Sequence, residues 1–259
     1  MKSVVIPLKE PSAFVHNIIH IENKKKNAKD LLPFFADGYP GIMFYQNPNG
    51  VYVLPKNKKL PDFMFYGQTI HPIQLSIEGS YRLIVFQLYP STVKSLLGIN
   101  PKELNDECYD LMMLPKANTG KVIERLRKTS GVASQVKIIL AFLTSLAHQK
   151  AADMDNTIRM GVNIILENRG KIVIKELREK LNISERTFER QFLDQVGVTP
   201  KQFARIIQFQ LSLNKLTEKD YSHLTEIAFD NGFADQSHFI KAFKKFTGKT
   251  PKEFQKMNM

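Results

Sequence analysis

The run FERQFLDQVGVTPKQF, from Phe188 to Phe203, returns as FIKAFKKFTGKTPKEF, from Phe239 to Phe254, with seven of sixteen residues identical at an offset of 51. Each copy has the same physical meaning. Phe188 and Phe192, like Phe239 and Phe243, are four apart and share one helix face, which must turn inward. Gly197 and Gly248 fall where that helix stops, because glycine accepts the left-handed C-terminal cap without penalty. Thr199-Pro200-Lys201-Gln202 and Thr250-Pro251-Lys252-Glu253 then each form a capping box with proline at the first helical position.

The repeat extends upstream. Leu177 matches Ile227, Asn182 matches Gly232 and Ile183 matches Phe233 at an offset of 50; Ala234 is one extra residue, after which Ser184 pairs with Asp235 as helix N-caps. A short helix, a tight turn and a capped second helix make a helix-turn-helix. The chain carries two, and the stretch from Pro200 to about Leu216 predicts a joining helix of about 25 Å. Recognition helices held on such a rod suit successive major grooves on one face of B-DNA, about 34 Å apart, without dimerisation.

With the phenylalanines buried, the first recognition helix presents Ser184, Glu185, Arg186, Glu189 and Arg190. Arg186 and Arg190 match guanine O6 and N7, and Glu189 matches cytosine N4. The second presents Gln236, Ser237, Ile240 and Lys241, with Gln236 suited to adenine and Ile240 to a thymine methyl. Lys201 and Lys252 lie in first helical turns, where free N–H groups attract phosphate; Lys244 and Lys245 add general attraction. The scaffold positions are Leu177, Phe188, Phe192, Gly197 and Pro200 in the first unit. Those of the second are Ile227, Ala228, Gly232, Phe233, Phe239, Phe243, Gly248 and Pro251.

These residues resemble the DNA-binding domain of AraC/XylS-type bacterial transcriptional regulators. The stretch IAFDNGFADQSHFIKAFKKFTGKTPKEF is similar to that family's most characteristic motif over nearly its whole length. The resemblance implies base contacts from the same helix positions. Arg178 departs from it: the family usually has a small alanine there, as Ala228 is in the second copy, and an arginine must snorkel to the surface.

Before residue 150 the texture differs. VYVLP, DFMFYG, IQLSIEG and YRLIVFQLYP are short β-branched or aromatic runs broken by Gly, Pro and Asn. The Asn49-Gly50 step predicts a hairpin between the apolar runs beside it. PSTVKSLLG and PKELNDE read as short capped helices, followed by helical patterns in KVIERLRK and SQVKIILAFLTSLAHQK. LLPFFADGYPGIMFY, YGQTIHP and FQLYPSTVKSLLGINPKELND resemble an uncharacterised sensor domain of the same family, cupin-like at the level of fold. The expected fold is therefore α+β in two domains. Residues 1–152 form a β-rich, barrel-like half with flanking helices; residues 153–259 form an all-α half with two helix-turn-helix units. The helical segment at about 118–150 is a candidate dimerisation element.

Composition bears on partners. The net charge of +12, from 37 Lys+Arg against 25 Asp+Glu, favours polyanions such as double-stranded DNA. Both halves share that excess, so charge alone locates no site. The lone cysteine, Cys108, excludes an intramolecular disulfide and a multi-thiolate zinc site. It thereby disfavours an alkyl-transfer repair protein, which needs a reactive cysteine and zinc thiolates. His16, His20 and Glu22 share a strand face, yet the spaced His and Glu pattern of metal-binding cupins is missing. No metal, cofactor or catalytic residue is expected. No membrane-spanning run and no export signal are read, so a cytoplasmic setting is expected. The expectation is an effector-responsive, sequence-specific transcriptional regulator and not an enzyme. Its partners are DNA, a small molecule in the β-rich half, and, as candidates, RNA polymerase and a second copy. The alternatives are a constitutive architectural DNA-binding protein and a cupin-like enzyme with a DNA-binding appendage.

Overall fold

GIMFYQ and YRLIVFQL are apolar almost throughout rather than alternating, which marks strands covered on both faces. The computed structural model, which describes residues 2–8, 10, 12–114, 118–149 and 156–257, places them at the centre of a sheet. The strands are β1 (Lys2–Ile6), β2 (Val15–Asn23), β3 (Lys29–Phe34), β4 (Gly41–Gln46), β5 (Val51–Leu54), β6 (Lys58–Lys59), β7 (Phe63–Tyr66), β8 (Ile73–Glu78), β9 (Tyr81–Leu88) and β10 (Cys108–Asp110). They form a six-stranded sheet of order β1-β2-β9-β4-β7-β10 and a four-stranded sheet of order β3-β8-β5-β6. All ladders are antiparallel. Among the described residues no strand is hydrogen-bonded into both sheets, so the β-rich half is an open pair of layers and not a closed barrel.

Period-two alternation sends Met43, Tyr45, Leu83 and Val85 into the space between the sheets, where they meet Leu32, Val51, Leu75 and Ile77. Ile42, Phe44, Ile84 and Phe86 point the other way, under three helices. These are α1 (Thr92–Leu97), α2 (Thr119–Lys128) and α3 (Val132–Gln149). Through Val136, Ile139, Phe142, Leu143 and Leu146, α3 packs on this face, with Phe142 against Phe63 at a ring separation of 5.5 Å. Ala133, Lys137, Ala141 and Thr144 face solvent.

The expected hairpin at Asn49-Gly50 is not one. β4 belongs to the larger sheet and β5 to the smaller, so the turn carries the chain from one layer to the other. The side chain of Asn47 explains this: its Nδ2 donates to the carbonyls of Glu78 and Ser80 at 2.9 and 3.0 Å, tying the turn to the corner between β8 and β9. PKELNDE also differs, being a 3-10 turn over Pro101–Leu104 capped by Asn100. Thr92–Leu97 is the short helix expected there, stopped by Gly98.

The second half is helical: α4 (Asn156–Glu167), α5 (Ile174–Lys180), α6 (Glu185–Val196), α7 (Pro200–Glu218), α8 (Leu224–Asp230), α9 (Gln236–Thr247) and α10 (Pro251–Met257). The sequence boundary at 152/153 falls outside the described residues. α7 divides its apolar surface between two cores. Phe203, Ala204 and Ile207 enter the core of the first unit, around Phe188 and Phe192. Ile206, Phe209, Leu213 and Leu216 enter that of the second, around Phe239 and Phe243. A rod anchored in both cores holds the two units in one arrangement.

The halves are docked. Ala36, in the loop between β3 and β4, is fully buried in the core of the second unit, and the Phe35 ring meets Phe254 edge-on at 5.8 Å. Asn105 Nδ2 donates to the Gly197 carbonyl at 2.7 Å, and Lys94 pairs with Asp194 at 2.5 Å.

Candidate nucleic-acid interface

Both units are built alike at the turn. Asn182 and Gly232, which occupy the same place in the repeat, have φ of 51° and 76°. That left-handed step reverses the chain between the two helices. Ile183 and Phe233 follow and pack inward. Ser184 Oγ then accepts from the Thr187 N–H at 3.3 Å, and Asp235 Oδ1 from the His238 N–H at 2.8 Å. The His238 N–H bond holds the Asp235 carboxyl below the usual carboxylate range, so this cap stays ionised where the helix dipole favours it.

Beyond the turns, Leu177, Phe188, Phe192, Pro200, Ile227, Ala228, Phe233, Phe239, Phe243 and Pro251 are all buried. Gly197 and Gly248 close α6 and α9 with φ of 86° and 76°. Both capping boxes form: Gln202 Oε1 accepts from the Thr199 N–H at 3.2 Å, and Glu253 Oε2 from the Thr250 N–H at 2.7 Å.

On the outer faces, Ser184, Glu185, Arg186, Glu189, Arg190, Ser237 and Lys241 are exposed, as are Lys201, Lys252, Lys244 and Lys245. Arg186 and Arg190 stand one turn apart on α6 and enter no ion pair among the described residues. Gln236 and Ile240 are only half-exposed. Gln236 Oε1 already accepts from Thr225 Oγ1 at 3.1 Å, and Ile240 packs on the core of the second unit. The free end of α6 is its N-terminal end, since Asp194 and Gly197 at the other end touch the β-rich half. Groove reading by N-terminal residues of a recognition helix needs that orientation.

Two positioning residues escaped the sequence reading, and a third, Arg178, was seen there only as a departure from the repeat. Gln208, buried on α7, donates from Nε2 to the Gly170 carbonyl at 2.9 Å and to the Gly232 carbonyl at 3.4 Å, linking the two units. Its only signal was an amide inside the apolar run FARIIQFQL. Arg205 lies 5.1 Å over the Phe233 ring. Arg178, the departure from the repeat, reaches out to Glu185 at 3.8 Å and so ties α5 to α6.

Two stacked helix pairs on a shared rod define a double helix-turn-helix domain. Residues 177–257 match the family described as a helix-turn-helix domain, and residues 4–110 match a domain of unknown function (DUF6597). Over 79 residues the chain is 32% identical to the HTH-type transcriptional activator RhaS of Escherichia fergusonii, covering 30% of this chain and 28% of that protein. It is 32% identical over 82 residues to an uncharacterized HTH-type transcriptional regulator of Staphylococcus aureus (strain MSSA476), covering 32% of this chain and 11% of that one. The match thus spans less than a third of these curated relatives. Among solved structures, ToxT from Vibrio cholerae O395 superposes with a TM-score of 0.50 at 13% identity, covering 93% of this chain and 98% of that chain. That likeness is one of fold, and it includes both halves. The C-terminal half thus carries a helix-turn-helix domain by family match, joined to a β-rich half that matches a domain family of unknown function.

Proposed function

We propose that the protein is a sequence-specific, DNA-binding transcriptional regulator, with residues 1–152 as its effector-sensing half and residues 153–259 as its DNA-reading half. One observation carries this reading: two capped recognition helices expose their N-terminal turns while one helix, α7, is embedded in the cores of both. Arg186, Arg190 and Glu189 read one groove; Ser237, Lys241 and the free Nε2 of Gln236 read the next. Lys201 and Lys252 hold phosphates.

One cavity of about 330 Å³ lies within the β-rich half and another of about 320 Å³ lies between that half and α7, both within the size range of small-molecule sites. An occupant would act on DNA affinity through the docked surfaces, by favouring one arrangement of the halves. The protein acts by binding and not by catalysis, in the cytoplasm, with RNA polymerase as the further macromolecular partner. No helix among the described residues is long and apolar enough to cross a membrane. A homodimer through α3 would use its small, polar outer face, and light scattering in solution reads its presence directly.

The test is selection of bound DNA from a random pool at a stated salt concentration. Two recurring half-sites about one helical turn apart are expected. Equal affinity for all sequences would replace this reading with a constitutive architectural binder.

A further inference from the structure

The 320 Å³ cavity lies where the two domains meet. Ile19, Ile21 and Val85 of the larger sheet form an apolar wall, and Gln210 and Leu213 of α7 close it from the DNA-reading half. Asp37 is the one charged residue lining it, among the described residues. Its carboxylate is held by neutral donors: Oδ1 accepts from the Tyr39 N–H at 2.9 Å and Oδ2 from Gln87 Nε2 at 2.6 Å. A carboxylate offers about four acceptor directions, so these bonds leave it room for another donor. An ionised group in an apolar hollow is costly unless a counter-charge joins it. Burial accordingly pushes Asp37 up to about 6.

The other cavity lacks this feature. In its lining Lys56 and Lys58 both pair with Glu107, and His71 Nδ1 lies 2.6 Å from Asp106. Its charges already have partners.

We propose that the cavity at Asp37 binds a compact organic cation, an ammonium group on an apolar body, with the charge on Asp37 and the body between the sheet and α7. This rests on the effector-responsive reading above and gives the effector a chemical class. An N–H donor carrying positive charge gains about twice what a neutral donor gains on a carboxylate. An anion would meet Asp37 with no cation to offset it. The volume admits a ring or short chain and little more. Because α7 joins the two helix-turn-helix units, an occupant in contact with Leu213 and Gln210 bears on the rod that spaces the readers.

Calorimetric titration of the full-length protein with benzylammonium, benzyl alcohol and benzoate tests the assignment. Benzylammonium is expected to bind at least about tenfold tighter than either analogue, and Asp37→Asn to remove that preference. Leu213→Trp, which fills the hollow while leaving Asp37 intact, is expected to abolish binding. Equal binding of the ammonium and benzoate, undiminished binding by Asp37→Asn, or no binding of the three probes would overturn it. DNA selection with the same preparation, free of probe, separates the two claims. Specific DNA binding without ammonium preference removes the site and leaves the regulator; the reverse result removes the regulator alone.

Discussion

Asp37 also makes the stability of the protein depend on pH. Its folded pKa, about 6, lies above the ordinary 3.8, so the protonated form is the one the fold prefers. Its contribution is complete below about pH 4 and is lost as pH rises through about 6. Asp37→Asn removes the buried charge and keeps an oxygen for the Tyr39 N–H. The variant is expected to be more stable than the parent at pH 7.5, by up to about 3 kcal/mol, with the gap closing toward pH 4. Urea melts at the two pH values measure this, and a gap that does not change with pH would refute it. The reading residues separate by a different measurement. Arg186→Ala should cost about 1–3 kcal/mol for the preferred sequence and relax selectivity at one base pair. Lys201→Ala should weaken all sequences alike and lower the salt slope by about 1. Fluorescence anisotropy on selected and scrambled duplexes at several salt concentrations distinguishes the two patterns.

Among the elements, α7 carries the most weight, and Gln208 shows why. It spans from the turn after α4 to the turn of the second unit by hydrogen bonds to Gly170 and Gly232. Gln208→Leu keeps the apolar packing but leaves these carbonyls without their donor, a loss of about 1–3 kcal/mol. Specific DNA affinity should fall further than stability alone predicts, because the turn at Gly232 aims α9; a stability loss with unchanged affinity would disprove the aiming role. The helices were legible in the sequence because each carries its own start, face and stop: Ser184, Phe188 with Phe192, and Gly197 suffice for α6. The strands were legible one by one, but their partners were not. Asn49-Gly50 is a true turn signal, yet whether it zips its neighbours or sends them to separate sheets depends on Asn47 bonding to Glu78 and Ser80, some thirty residues away. Local pattern does not encode that choice. Gln236 and Ile240 were read from helical period as outward-facing, but they are half-buried because of Thr225 and the core beneath, neither visible in that period alone.

At the scale of the molecule, the docking of the halves was the least legible feature, because small residues make it. Ala36 and Gly38 sit in a loop with no periodic signal, yet Ala36 is buried in the core of the second unit. Gly38, at φ of 85°, lies so near α7 that a Cβ there would stand 2.9 Å from Ile207 Cδ1 and 3.1 Å from the Phe203 ring. Domain interfaces that share core residues unfold together, whereas loosely joined domains unfold in sequence. The wild-type protein is therefore expected to give one calorimetric transition. Gly38→Val strains a left-handed position and drives two methyl groups against α7, together costing about 2–4 kcal/mol at the contact. Residue 38 belongs to the loop between β3 and β4 and meets Phe203 and Ile207 from across the interface, so the loss should fall on the docking and split the endotherm into two. The substituted position belongs to the loop between β3 and β4 and not to the exposed turns of α6 and α9. Non-specific DNA binding should therefore persist while any response to an occupant of the β-rich half weakens. A single sharpened or uniformly lowered transition would mean that the halves are coupled elsewhere, through Asn105–Gly197 and Lys94–Asp194, and would move the proposed route of communication from α7 to α6.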